Sequence, residues 1–469
     1  MGRYMNENEK IFSDSLSDLI TTIKTTIEAE TIHGNIQTQT ELYKYVIVDQ
    51  FYYDNGFPSI QAHCEDTPTN TWFKAQNEIH ELIKKTKEYH TVEERLNLIT
   101  DRKSNSNGLE RFVFLLIQEY FDGIEDFDSK AENLSLNYIR QLKGMPIKYF
   151  GTVDLQGIVL GPDQIQINDN VLLRRTKKED FEYSSPVEYF VPRSYSQPFP
   201  SAILKVKIDG KGPIDLQNEI SKLIVILRLF KIGGISLIKY RIDSESFFSI
   251  SGGTISSMYY DIPFKNCTIN EEHVATLKHF WNLIYPLIPP HIYNQNKTDY
   301  ISIAYQHYTD SQIRKGIIEQ RIATAVMGLE ALLLKSDEKS ELSYRLGIRT
   351  AKIFSIFLKD PIDTKETVKN PIDIRKAVKD AYDVRSVFLH GDKLSDSKKK
   401  TLNSNYGNLN NLFKKILDYL RDLLLMSFLV NMDKGEFIDL IDESLIDEEK
   451  NKQLVEIIKN HIQKLYDIN

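Results

Sequence analysis

Residues 373–392 read DIRKAVKDAYDVRSVFLHGD. Apolar residues fall at Ile374, Val378, Ala381 and Tyr382, which is helical spacing. Gly391 is the residue type that closes a helix in the left-handed conformation. The pattern therefore predicts a helix ending at Gly391, with Arg385 one turn inside it and His390 on its last turn. Tyr382, Ser386 and His390 follow an i, i+4, i+8 line and share a face. Arg385 lies to one side of that line, with a side chain long enough to reach across it.

That placement carries chemistry. A helix C-terminus holds partial negative charge, which favours imidazolium, and an imidazole is the side chain suited to moving protons near neutral pH. A guanidinium beside it offers a planar fork of donors matched to phosphate oxygens. Together they suit phosphodiester cleavage: His390 handles a proton on the attacking or leaving oxygen, and Arg385 stabilises charge on phosphorus. The scheme needs no metal and no cofactor. The same residues would also serve as an ordinary helix end, because a His before a helix-closing Gly is a common cap.

The run Arg385-Ser386-Val387-Phe388-Leu389-His390-Gly391 resembles the motif of the Apea-like branch of the HEPN superfamily. Two upstream segments match as well. Arg321–Leu334 looks like that family's first long helix, with its Leu-Glu pair at Leu329-Glu330. Ser340–Ala351 looks like the helix that follows, with Leu-Ser-x-Arg at Leu342 to Arg345. The resemblance implies an all-α bundle that forms a homodimer or a higher homo-oligomer, the Arg/His motifs of two chains meeting in a cleft. It implies metal-independent cleavage of an RNA substrate, in toxin or abortive-infection anti-phage roles with a phage-derived trigger. Arg385 and His390 would be catalytic, with Glu330, Ser386, Tyr382 and Arg345 supporting them. Some members of the superfamily are inactive and bind nucleotides or proteins, which is the alternative reading.

Glu330 stands out independently, since a carboxylate in an apolar stretch needs a partner; Arg345, Arg349 and Arg385 are the candidates. Around this centre the C-terminal pattern is helical. Ser311 to Leu334 reads as one long helix, Glu341 to Leu358 as the next, and Asp363 to Asn370 as a charged linker. Asn408 to Val430, apolar nearly all round at its end, reads as a buried helix. The Tyr-rich run from Tyr285 to Tyr308 has the spacing of core residues, with base stacking the rarer use.

Further out, alternation at Ile158/Leu160, Ile165/Ile167 and Val171/Leu173 predicts three short strands, and Ala202 to Ile208 a further one. Leu216 to Phe230 reads as an apolar helix ended by Gly233-Gly234, and Phe247 to Ile255 as a return to strand. Arg174-Arg175 with Lys177-Lys178 is the densest basic cluster; it is either a solvated loop or an RNA-binding patch. Residues 1–145 read as mostly helical, although Tyr43 to Tyr53 fits a strand or a buried helix, and Trp72 to Tyr89 fits one amphipathic helix. The expected class is thus α+β: a mixed helical and β N-terminal region followed by an all-α C-terminal bundle. Its expected divisions are a mostly helical 1–145, an α+β sensor or regulatory module at 146–268, and a HEPN-like helical domain at 269–469.

A net charge of −7 argues against a broadly basic nucleic-acid binder, so any RNA contact must be local. Two cysteines are too few for a disulfide framework, and the first ten residues hold no apolar signal core. The longest strongly apolar run, Leu423 to Val430, is too short to span a bilayer. These features lead to the expectation of a cytoplasmic protein with no membrane partner. His63-Cys64 lacks a second ligand pair at metal-binding spacing.

Overall fold

The computed structural model describes residues 7–34, 39–54, 57–71, 73–99, 106–122, 126–186, 200–244, 251–254, 265–289, 292, 299–313, 316–356 and 370–466. Helix α1 (Glu7–Ile32) buries Phe12, Leu16, Leu19, Ile23 and Ile27, an i, i+4, i+7 stripe, against α2 (Phe73–Ile83), α3 (Lys87–Ile99), α4 (Ser106–Asp122) and α5 (Phe127–Leu142). These helices enclose a core of their own, in which Phe112 stacks on Tyr138 with ring centroids 5.0 Å apart.

Two strands interrupt the helices. β1 (Gln39–Asp54) and β2 (Phe57–Thr71) form a long antiparallel hairpin. The β-branched and aromatic residues at 43–53 are therefore strand, not buried helix. The second arm, with Pro58 and Pro68, carries a polar sequence that gives no period-2 signal. The stretch from Trp72 to Tyr89, expected as one helix, breaks at 84–86 between α2 and α3; Trp72 itself lies outside the described residues.

The next strands are β3 (Ile147–Gln156), β4 (Ile158–Leu160), β5 (Gln164–Asn168), β6 (Val171–Arg175), β7 (Tyr183–Pro186), β8 (Ala202–Gly210), β9 (Ser236–Ser244) and β10 (Ser251–Thr254). The alternating triplets at 158–173 fall on strands as expected, and so does Ala202 to Ile208. Residues 247–250 and 255 of the last expected strand lie outside the described residues. Six strands form one antiparallel sheet in the order β10-β9-β3-β8-β6-β5, and β7 pairs with β1. Helix α6 (Pro213–Phe230) lies on this sheet through Leu216, Ile220, Leu223 and Leu227. It comes so close that a Cβ at Gly151 would sit 3.2 Å from the Ile220 side chain.

The remaining helices are α7 (Val274–Ile284), α8 (Tyr300–Ile313), α9 (Ile318–Leu333), α10 (Leu342–Phe354), α11 (Pro371–Leu389), α12 (Asp396–Tyr406), α13 (Leu409–Val430), α14 (Lys434–Glu443) and α15 (Glu448–Tyr466). One correction concerns Ser311 to Leu334, which is not a single helix: α8 ends at Ile313 and α9 begins at Ile318. The break lets α8 fold back along α9. Tyr305 and Tyr308 on α8 are core residues; Tyr308 donates to the carbonyl of Arg228 on α6 at 2.9 Å. Helix α13 is buried along most of its length, as its composition predicts. Residues 363–369 of the expected linker lie outside the described residues.

The sheet and the C-terminal helices share one continuous hydrophobic core. Strand β11 (Cys267–Ile269) crosses position 268 and pairs in parallel with β4. The class is mixed α and β, with the C-terminal half helical. Among the described residues, no helix is long and apolar enough to cross a membrane.

Candidate functional site

Helix α11 begins where Asn370 accepts a hydrogen bond from the Ile372 amide at 3.0 Å and Pro371 takes the first helical position. Ile374, Ala377, Val378, Ala381 and Val384 form its buried face. At the other end Gly391 sits at φ +78, the Gly391 amide reaches the Phe388 carbonyl at 3.0 Å, and the Asp392 amide reaches the Val387 carbonyl at 3.1 Å. Those two bonds satisfy carbonyls the helix leaves open. His390 is the cap residue, and it is exposed.

Arg385 stands one and a half turns earlier, 25% exposed. Its Nη2 donates to Glu330 Oε2 at 3.1 Å, and its guanidinium carbon lies 5.4 Å from the centroid of the Tyr382 ring. Glu330 projects from α9, so the pair joins two helices of the bundle. Of the three arginines that could answer the Glu330 carboxylate, the partner is Arg385. Burial pushes the Glu330 carboxyl above its ordinary value, and the Arg385 guanidinium pulls it only part of the way back. Burial also raises Tyr382, helped by the neighbouring Glu330 charge. Ser386 lies on the same line, half-buried.

Arg385, Glu330, Tyr382 and Ser386 thus converge around one end of α11, with His390 at its tip. By helix rise, five residues separate Arg385 from His390 by about 7.5 Å along the axis. His390 is exposed, and Arg385 is a quarter exposed with its Nε buried and, among the described residues, without a hydrogen-bond partner.

Arg345, expected beside them from the Leu-Ser-x-Arg match, pairs elsewhere. Its Nη1 donates to Glu338 at 3.1 Å, beside Arg349, which is 1% exposed and also holds Asp442 on α14 at 2.6 Å. This network ties α10 to the turn after α9 and to the C-terminal helices. Arg174 and Arg175, expected as RNA-binding residues, have partners within the chain. Arg174 gives both ends of its fork to Asp180 at 2.7 and 2.6 Å and is 12% exposed. Arg175 donates to the carbonyls of Leu160 and Gly161 and lies over the Tyr53 ring. Most of their donors fasten strands and turns of the sheet region.

Lys398 opens the run Lys398-Lys399-Lys400, which in sequence reads only as a loop or the start of the next helix. It donates to Asp380 at 3.1 Å and Asp383 at 2.7 Å, and Tyr406 donates to the other oxygen of Asp380 at 2.9 Å. These bonds fasten α12 back along α11 and close the turn that carries His390. The only sequence signal was Ser395-Asp396, a helix start, which places Lys398 in the first turn of a helix.

Among the described residues, no group of three or more His, Cys, Asp or Glu is placed to hold a metal ion. No protein-family model, no curated protein and no solved structure matches the chain.

Proposed function

We propose that the chain is a metal-independent endoribonuclease of HEPN type, with Arg385 and His390 as its catalytic residues. One observation carries the reading: a guanidinium anchored by Glu330 from a second helix lies at the same helix end as an exposed imidazole. The anchor fixes one part of the fork and leaves the residue partly open to solvent. An anion held there meets a fixed positive charge, the arrangement that stabilises a developing phosphorane. Glu330 is then a positioning residue.

In the proposed reaction the ribose 2′-oxygen attacks the adjacent phosphorus and the bond to the 5′-oxygen breaks. His390 takes the proton from the 2′-hydroxyl or delivers one to the 5′-oxygen, and Arg385 neutralises charge on the phosphoryl oxygens. The products are a 2′,3′-cyclic phosphate and a free 5′-hydroxyl. DNA lacks the internal nucleophile and is not cut. In a homodimer two such helix ends meeting across a cleft would supply one imidazole as base and one as acid. The C-terminal helices form the HEPN bundle in this reading. The N-terminal helices and the sheet sense a phage-derived trigger and restrain a toxic activity.

Incubation of the purified chain with total RNA and a chelator tests this. Cleavage that survives chelation, leaves cyclic-phosphate ends and disappears in both Arg385→Ala and His390→Ala supports it. Cleavage unchanged in either variant overturns it in favour of another site or a contaminant, and no cleavage by a chain that still binds nucleotides overturns it in favour of a binding module.

A further inference from the structure

The face of α11 that bears His390, Ser386 and Tyr382 continues toward the start of the helix. Steps of four, three and four residues lead back from Ser386 to Tyr382, Lys379 and Arg375, so all lie on one stripe. Arg375 and Lys379 are exposed. Along the axis they stand about 22 and 16 Å from His390. The Arg375 guanidinium lies 5.0 Å from the centroid of the Tyr344 ring, and Tyr344 on α10 is 51% exposed. The far end of the stripe therefore presents a half-exposed aromatic ring with a cation over one face.

The carboxylates of α11 do not cancel this charge. Asp380 and Asp383 are both engaged by Lys398, and Asp373, two residues from Arg375, lies on another side of the helix. Lys379 makes no ion pair among the described residues. In a chain with a net charge of −7 this is a local cationic track.

We propose that the stripe binds a single-stranded RNA whose cleaved linkage lies at the Arg385–His390 end; this rests on the nuclease reading and adds the form of substrate it takes. Lys379 and Arg375 pair with successive backbone phosphates. Tyr344 stacks a base, which requires a base free of a pairing partner and so disfavours a duplex. Along Arg375 and Lys379 a second copy of the chain is the poorer occupant, because a two-fold contact there brings two net-cationic surfaces together.

The test is RNA affinity, measured by fluorescence anisotropy in the full-length His390→Ala chain so that the probe stays intact. The probe is a labelled single-stranded RNA of mixed sequence, compared with the same RNA annealed to its complement. Arg375→Glu/Lys379→Glu is expected to weaken single-strand binding at least about tenfold and to flatten the salt dependence by about 1.4 in log–log slope. Tyr344→Ala is expected to cost about tenfold with the slope unchanged. Lys452→Glu/Lys459→Glu on α15, an equal change of charge, is expected to stay within about twofold. Arg375→Gln/Lys379→Gln repeats the loss with less perturbation should the charge reversal unfold the chain. Unchanged affinity and slope in the stripe variants, while the parent binds RNA, overturns the proposal. So does a duplex bound more tightly than the single strand, a parent that binds no RNA, or a loss of self-association with RNA affinity intact. The nuclease reading fails separately, if RNA is held through the stripe and never cut by the unsubstituted chain.

Discussion

Glu330 Oε2 accepts a hydrogen bond from Arg385 Nη2 at 3.1 Å across the α9–α11 contact, and both side chains are mostly buried, 17% and 25% exposed. The carboxylate is nonetheless raised above its ordinary value of 4.5, with burial the larger cause. Folding thus disfavours the charged form even with the arginine in place.

Glu330→Gln should therefore separate stability from activity. A raised carboxyl contributes stability that is fully present below about pH 4.5 and lost as pH rises through its folded value. The amide cannot titrate, so wild type should lose stability relative to the variant across that window. At neutral pH the variant should be as stable as wild type or more so. RNA cleavage should fall about ten- to a hundredfold, because the guanidinium loses its charged anchor. Denaturant titrations at a series of pH values, set beside cleavage rates, check both halves.

Arg349 holds the opposite kind of pair. Its hydrogen bond pulls the Glu338 carboxyl down to about 2, and Arg349 itself is 1% exposed. A depressed carboxyl contributes stability present above its unfolded value and lost as pH falls through about 2. Arg349→Met should cost about 3–5 kcal/mol by leaving Glu338 and Asp442 without their shared cation. It should also flatten the acid limb of the stability curve, as read by urea unfolding between neutral and strongly acidic pH.

These two pairs show what was legible in the sequence and what was not. The end of α11 could be read because its causes are local: apolar spacing up to Val384 and a glycine just past the last turn. The short strands at 158–173 were legible for the same reason, since alternation and turn residues lie within a few positions of one another. Partner choice was not local. Arg345, Arg349 and Arg385 are all arginines of the helical half, and only the packing of α9 against α11 decides that Arg385 takes Glu330. The break between α8 and α9 was hidden because apolar residues run through it at near-helical spacing, with Gly316 as the sole weak marker. Lys398 looked like one lysine in a run of three, and only the return of α12 along α11 singles it out.

Gly391→Ala probes the turn that carries His390. The residue sits at φ +78, and nothing lies within 4 Å of an added Cβ. The cost is then conformational only, about 1 kcal/mol. Gly391→Asn should recover part of it, since asparagine tolerates the left-handed region. If cleavage depends on the placement of His390, activity should fall more for Ala than for Asn, in the order of their melting temperatures. Equal melting temperatures for Gly, Ala and Asn would contradict the assignment of strain to this position.

Lys398→Met tests whether that turn is held from its far side as well. Methionine keeps most of the aliphatic stem and removes both ion pairs, leaving Asp380, 8% exposed, with Tyr406 as its remaining donor. A buried carboxylate stripped of its cation should cost about 2–3 kcal/mol. Tyr406→Phe removes the neutral donor alone and should cost about 1 kcal/mol. Because both donors serve one carboxylate, the double variant should cost more than the sum of the two single changes. Asp380 keeps one donor in each single variant, whereas the double variant buries it with none. Additive costs in urea unfolding would mean that Asp380 relaxes to water once Lys398 is gone, and that α12 does not fix the His390 turn through it.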